Sequence, residues 1–117
     1  MDYVKIYLNA SQAANDAGAD WLKQSQIKYL VTDGTRKVVD TMLDICGNAE
    51  VEFKDRRSAH FKAFKKMDLI FCDRVLDMNH DYKSNQELGL KRACAAAALK
   101  SLSDAGITGL RIWSYVD

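Results

Sequence analysis

The sequence predicts an α+β fold, built as a single compact two-layer domain over residues 1–117 with about four strands and four helices. Two patterns lead to this prediction. Short segments that alternate apolar and polar residues, as strands do, lie at both ends and in the middle of the chain. Segments with helical periodicity separate them, and no proline occurs in the 117 residues. Because every connection is short and no linker divides the chain, one domain is expected.

The chain begins with a predicted strand and helix. Residues 3–8 place apolar and polar side chains alternately, which is typical of a half-buried strand. Asn9 and Gln12 then form a variant of the capping box. The small apolar residues that follow share one helical face, so the predicted helix can approach a sheet closely.

A second strand and a second helix are predicted next. Residues 27–31 form a short apolar segment, and Asp33 with the glycine after it indicates a turn. Thr35 is suited to cap a helix running to about Cys46, where Gly47 would end it.

The middle of the chain allows two interpretations. Residues 50–53 alternate and predict a short third strand. Residues 55–78 have helical periodicity, but the apolar run at 69–72 is equally suited to a buried strand. One helix, or a helix followed by a strand, therefore remain alternatives for this segment.

The last two elements have the clearest local signals. Ser84 and Glu87 match a capping box, and Gly106 is placed to end the helix that follows. Residues 110–116 alternate as a strand. We expect this strand and the N-terminal one to be neighbours in one sheet.

Composition excludes several classes of protein. The net charge of +1 gives no support to a domain that is basic throughout, as many nucleic-acid-binding domains are. No apolar run reaches the length of a membrane span, so no membrane partner is expected. The N-terminus lacks the apolar core of a secretion signal, and the cysteines are few and widely spaced. A cytoplasmic location is therefore expected.

Acidic residues at helical spacing are the first candidates for a metal site. Asp40 and Asp44 share one predicted helix face, as do Asp73, Asp77 and Asp81. Such carboxylates could hold Mg²⁺ for phosphate chemistry if they projected inward. Both sets project away from the apolar stripes of their helices, so solvated faces are predicted and no metal is expected.

No organised catalytic motif is found. His60 and His80 lie in no known catalytic frame, and the six glycines form neither a Walker loop nor a dinucleotide-binding motif. Cys72 lies on an apolar stripe, which predicts a core position and not a nucleophile. A protein without enzymatic activity, catalytic residues or a cofactor is therefore expected.

The near-zero net charge conceals a local polarity. Residues 54–66 carry six cations and one anion, whereas residues 68–81 carry four anions and one cation. In one helix this order would oppose the helix dipole, so helix stability does not explain it. A mixed-charge partner would match it, and the candidate partner-binding residues here are Arg56, Arg57, Lys62 and Lys66.

The two terminal strands suggest a second binding surface. If they share a sheet, their non-core faces place four aromatic residues beside two cations. Such a face could stack bases or form a protein-binding hot spot, and it would be core if helices covered it. The candidate residues are Tyr3, Lys5, Tyr7, Arg111, Trp113 and Tyr115.

Three functions follow, in this order. The leading hypothesis is a non-enzymatic interaction module that binds a protein partner, plausible as an inhibitor or regulator of a host or competitor system, such as phages and mobile elements encode. The alternative is a nucleic-acid-binding protein that uses the basic segment for phosphates and the aromatic face for stacking. The third and least favoured is a metal-dependent phosphate-processing enzyme.

Overall fold

The computed structural model describes the backbone of residues 1–24, 29–32, 38–42 and 46–116, and the side chains of residues 1–24 and 46–116. Over these residues the chain forms three helices and six strands. In chain order they are α1 (Tyr3–Gln24), β1 (Tyr29–Thr32), β2 (Val38–Met42), β3 (Gly47–Phe53), α2 (Ala59–Lys66), β4 (Ile70–Phe71), β5 (Val75–Leu76), α3 (Leu88–Asp104) and β6 (Leu110–Val116).

The strands form two antiparallel sheets. Strands β1 and β2 pair with each other, and the other four form a sheet in the order β4-β5-β3-β6. Helices α1 and α3 pack together, and α3 lies against β3 and β6. The predicted α+β class is confirmed, with three described helices in place of the expected four.

The expected N-terminal strand is wrong, because residues 3–8 are the first turns of α1. A six-residue alternation does not exclude a helix, and the longer pattern decides here. The buried residues of α1 recur at intervals of three and four, so that one continuous stripe faces the core. Since no strand exists at the N-terminus, β3 and not an N-terminal strand is the neighbour of β6. The buried residues of α1 are Tyr7, Ala10, Ser11, Ala14 and Gly18.

The expected helix from Thr35 to Cys46 is also wrong where the backbone is described. Val38–Met42 is strand β2, which is consistent with its two β-branched valines and a threonine. Cys46 forms an isolated bridge with Glu87 before β3 begins. The predicted turn at residues 33–34 and the side chains of Asp40 and Asp44 lie outside the described residues.

The segment 55–78 is a helix followed by a two-stranded hairpin. Ser58 begins α2, and its hydroxyl accepts a hydrogen bond from the Phe61 amide at 3.1 Å. Asp68, Cys72 and Asp73 have positive φ angles, which no continuing helix contains. Cys72 is exposed in the β4–β5 turn, so its expected core position is wrong.

The last two elements follow the prediction closely. β6 covers Leu110–Val116, and Gly106 follows the end of α3 with a φ of +97°. The predicted capping box is not formed, because α3 begins at Leu88 with Glu87, and not Ser84, at its N-cap, and the Glu87 side chain makes no capping hydrogen bond.

The core lies between the sheet and the helices. Ala49, Val51 and Phe53 alternate on the helix-facing side of β3 and are buried. The Phe53 ring centroid lies 5.5 Å from that of Phe61 and 5.9 Å from that of Phe64, which joins α2 to the sheet. The alternate residues of β3 lie on the opposite side, and they carry part of the candidate site.

Candidate functional site

One side of the four-stranded sheet, here called the outer face, carries aromatic and charged residues. The register of β3 and β6 places Asn48 opposite Tyr115, Glu50 opposite Trp113, and Glu52 opposite Arg111. The alternate residues of both strands are on the side of the helices. The outer face is defined here by Asn48, Glu50, Glu52, Arg111, Trp113 and Tyr115.

Trp113 and Tyr115 form a pair of contacting rings on this face. Their centroids are 5.0 Å apart, and the two residues are 48% and 40% exposed. Arg111 lies beside them and donates from Nε to the carboxylate of Glu52, which is buried. A surface of this kind combines the residue types that dominate protein–protein hot spots. The carboxylates of β3 do not favour the stacking of nucleic acid, because phosphates would be repelled there.

The other three predicted members of the aromatic face lie elsewhere, on α1. The Tyr3 hydroxyl hydrogen-bonds to Nδ1 of His60 at 3.0 Å, and Lys5 is exposed. Tyr7 is buried, and its hydroxyl donates to the Asp77 carbonyl oxygen at 2.7 Å and accepts from the Asn79 amide at 2.9 Å. Their expected position beside Trp113 is wrong, because it required an N-terminal strand.

β6 is an edge strand with an open hydrogen-bonding side. The Lys54 amide donates to the Gly109 carbonyl oxygen at 2.8 Å, so these two opposite residues are a hydrogen-bonded pair. In an antiparallel ladder such pairs alternate with pairs that exchange no hydrogen bonds. By this alternation, residues 111, 113 and 115 direct their amides toward β3, and residues 110, 112, 114 and 116 direct theirs away. Among the described residues, the backbone of β6 pairs with β3 alone.

β6 is also unusually apolar for an edge strand. Ile112 and Val116 are exposed on the side of the helices, and Trp113 and Tyr115 are exposed on the outer face. Natural edge strands usually carry charge, proline or a covering element that prevents pairing with another chain. β6 therefore presents an open ladder edge with apolar side chains on both faces.

A second feature is a cationic depression of about 390 Å³, here called the basic pocket. It includes two residues that the sequence indicated, Arg56 and Arg57, and it adds Arg74, which lies in the acidic segment of the sequence. The β4–β5 turn folds Arg74 back against the end of β3, and no local pattern signals this. The pocket is lined by Lys54, Asp55, Arg56, Arg57 and Arg74.

The predicted lysines of α2 extend this charge. Lys62 and Lys66 are exposed, as is Lys65 between them, while Phe61 and Phe64 face the core. The helix therefore has an apolar face against β3 and a basic face in solvent.

Sequence reasoning did not indicate a third feature, a buried lysine in a gap of the sheet. Lys91 is 6% exposed, and its ammonium donates to the Lys83 carbonyl oxygen. Beside it is a cavity of about 20 Å³, which has room for one water molecule. β5 pairs only with Val51 and Glu52 of β3 and does not extend to Ala49. The Ala49 amide therefore donates its hydrogen bond to Oδ1 of Asn48 and not to β5. The cavity is too small for a substrate.

Burial determines the protonation of the groups around this cavity. It lowers the pKa of Lys91, while the Glu50 carboxylate acts in the opposite direction. It raises the pKa of the Cys94 thiol, which disfavours the nucleophilic thiolate. These groups are better explained as parts of a tightly packed junction than as catalytic residues.

His80, at the same junction, predicts a pH-dependent stability. Burial and the positive charges of Lys91 and Lys83 lower the pKa of His80 below 6.5, so the folded chain takes up this proton at a lower pH than the unfolded chain does. The His80 contribution to the free energy of unfolding should be complete above pH 6.5 and decrease as the pH falls through that value. Urea unfolding at several pH values measures this dependence of the free energy of unfolding on pH.

The matched variant is His80→Asn. Its side-chain oxygen can accept the bond that Nδ1 of His80 accepts from the Tyr82 amide at 3.3 Å, but it does not titrate. We expect the slope of the free energy of unfolding against pH, between pH 7.5 and 5.5, to be smaller in the variant by at most about 1.4 kcal/mol per pH unit. Equal slopes in both proteins would contradict this.

The described residues contain no metal-ligand cluster of three or more His, Cys, Asp or Glu residues. Asp73 pairs with Arg56, and Asp77 pairs with Lys83. Two of the three acidic residues at helical spacing, Asp73 and Asp77, thus form ion pairs. None of the described helices is long and apolar enough to cross a membrane.

Comparisons of the chain with protein-family models, curated proteins and solved structures found no match. The outer face, the edge of β6 and the basic pocket are the features of the described chain that bear on its function.

Proposed function

We propose that the protein is a non-enzymatic protein-binding module, and that β6 binds its partner by strand addition. One observation supports this above the others: β6 combines an open ladder edge with exposed apolar side chains on both faces. In strand addition the main-chain hydrogen bonds supply affinity, and alternate side chains supply specificity. In this proposal the module acts in the cytoplasm as an inhibitor or regulator, since it occupies a strand or segment that its partner needs.

The chemistry of β6 specifies the partner segment. An added strand would direct every second side chain to the outer face, beside Trp113 and Tyr115, where aromatic or aliphatic residues fit. The remaining side chains would face Ile112 and Arg92, whose guanidinium lies 3.4 Å from the Ser114 hydroxyl. The occupant is therefore an extended segment that is apolar at alternate positions and acidic near Arg92.

The test uses the outward amide of Ser114. Ser114→Pro removes this amide and leaves the hydrogen bonds to β3 in place, since proline is tolerated on the open side of an edge strand. Linear peptides of random sequence, displayed in a library, are selected on the wild-type protein. We expect selected peptides to lose at least about tenfold in affinity toward Ser114→Pro, because an outward bond is lost and proline blocks close approach.

Ser114→Ala is the matched control, because it removes the hydroxyl and keeps the amide. Its affinity for the selected peptides should be within about twofold of the wild-type affinity. Trp113→Ala should lower the affinity for these peptides about tenfold. Melting temperatures confirm that the variants are folded. Selection of no peptide, or of peptides indifferent to Ser114→Pro, would overturn the proposal. A dimer in light scattering that Ser114→Pro abolishes would also overturn it, because a second copy would then occupy the edge.

A further inference from the structure

We propose that the basic pocket is a binding site for phosphate groups, a site distinct from the β6 edge and independent of the proposed function. Four cations and one carboxylate line a single depression of about 390 Å³. This concentration of one sign of charge occurs in a chain whose net charge is only +1. Concave surfaces lined by one sign of charge focus the field and attract oppositely charged ligands.

The backbone holds two of these cations in place. The Lys54 amide bonds to the Gly109 carbonyl oxygen at 2.8 Å, at the end of the β3–β6 ladder. The Arg74 carbonyl oxygen accepts from the Phe53 amide at 2.9 Å, and the Arg74 amide bonds to the Cys72 carbonyl oxygen at 2.9 Å. Both residues therefore have fixed backbone positions, Lys54 just after β3 and Arg74 just before β5. A ligand that bridges them would not have to order the backbone first.

The same two cations have no carboxylate partner among the residues whose side chains are described. No described acidic side chain lies within 4.0 Å of the charged atoms of Lys54 or Arg74. Lys54 is exposed and Arg74 is half-buried, and a phosphate that reaches the pocket can accept hydrogen bonds from both side chains. Arginine in particular presents a planar fork that matches two phosphate oxygens.

The other two cations are held by weak, exposed ion pairs. Arg57 Nε lies 3.2 Å from Asp55 Oδ1, and Arg56 Nη1 lies 3.4 Å from Asp73 Oδ2. Hydrogen bonds from Arg57 lower the pKa of Asp55, so this carboxylate is charged at neutral pH. Exposed ion pairs of this kind contribute little to stability, because solvent screens them. A dianionic phosphate can therefore recruit either arginine at little cost.

The size of the depression leaves two sources of phosphate. The depression of about 390 Å³ is larger than a single phosphate and has room for a ligand with further groups. Two such ligands are a nucleotide with a polyphosphate chain and the backbone of a nucleic acid. In the second case the exposed face of α2, with Lys62, Lys65 and Lys66, would continue the phosphate track.

The experiment measures binding of two probes to the full chain at about 50 mM salt, a concentration at which phosphate contacts are strong. ATP is titrated by calorimetry, and a labelled single-stranded oligonucleotide of about 12 nucleotides by fluorescence anisotropy. We expect at least one probe to bind. Arg74→Ala and Lys54→Ala should each weaken it about tenfold, since each removes charge-assisted hydrogen bonds.

Lys23→Ala and Lys100→Ala are matched controls, because both cations are exposed, Lys23 on α1 and Lys100 on α3, and neither lines the pocket. Each should change affinity less than twofold, and melting temperatures show whether all four variants are folded. Loss of oligonucleotide affinity in Lys62→Ala, with ATP binding unchanged, would assign the site to nucleic acid. ATP binding alone would assign it to a nucleotide, and both results support a phosphate site.

Two results would overturn the inference. One is the absence of binding by either probe at this salt concentration. The other is an equal loss of affinity in the pocket variants and the two control variants, which would indicate attraction to overall charge only. Binding of selected peptides at β6 should be unchanged in Arg74→Ala. The failure of one proposal can therefore be distinguished from the failure of the other.

Discussion

Phe53→Ala should lower the free energy of unfolding by about 3–5 kcal/mol, the usual loss when a buried phenylalanine is truncated. Phe53 has no solvent exposure and is among the largest fully buried side chains. Its ring contacts Phe61 and Phe64, so its removal leaves a cavity between β3 and α2 that neither helix nor sheet can close. Since a domain of this size has about 5–15 kcal/mol of stability, this variant should be marginally folded.

Phe71→Ala is the matched control for this prediction. Phe71 is 62% exposed on β4, so the same chemical change should cost less than about 0.5 kcal/mol. Chemical denaturation of both variants, followed by tryptophan fluorescence, gives the two free energies. A loss below about 1 kcal/mol in Phe53→Ala would show that β3 does not hold α2 as described.

Gly47→Ala should be the second most damaging change, with an expected loss of about 1–3 kcal/mol. A Cβ atom at Gly47 would lie 2.5 Å from the Tyr115 carbonyl oxygen and 3.1 Å from Leu88 Cβ. The first contact is with backbone of the neighbouring strand, which cannot move without separating the end of β6 from β3. The variant should therefore lose stability and also increase hydrogen exchange at the amides of β6 near Tyr115.

Gly109 is the control that distinguishes steric crowding from the requirement for a positive φ. Gly109 has a φ of +76°, and no described atom lies within 4 Å of the position that a Cβ atom would occupy there. Asparagine tolerates a positive φ, so Gly109→Asn should cost well under about 1 kcal/mol. Gly47→Asn should cost at least as much as Gly47→Ala, because crowding and not φ is the cause. Equal losses at the two glycines would refute this account.

The sequence predicts correctly those elements whose pattern depends only on their own residues. The alternation of residues 110–116 predicted β6 and placed Arg111, Trp113 and Tyr115 on one face. The same kind of pattern failed at residues 3–8, because the buried stripe of α1 includes Tyr7 and continues at helical spacing, whereas Val4 and Leu8 of the alternating set are exposed. At 55–78 the periodicity could not show where α2 ends, since the positive φ of Asp68 depends on the packing of the following hairpin.

The composition of the candidate sites depended on contacts between distant residues. The neighbours of Trp113 are Glu50 and Asn48, not Tyr3 and Tyr7, because strand pairing is set by tertiary packing and not by local pattern. Arg74 joins the basic pocket for the same reason. Lys91 lies three residues after Leu88 and four before Ala95, on the buried stripe of α3, so its spacing signals burial although its residue type does not.

The pairing of β3 with β6 also determines how the chain reaches its folded state. Glu50 and Trp113 face each other although about 60 residues separate them in the sequence. Closing so long a loop is entropically costly before the ladder forms, whereas the β4–β5 hairpin closes over only three residues. Folding should therefore begin with helices and local hairpins and be limited by the arrival of β6, which gives slow kinetics for a chain of this length.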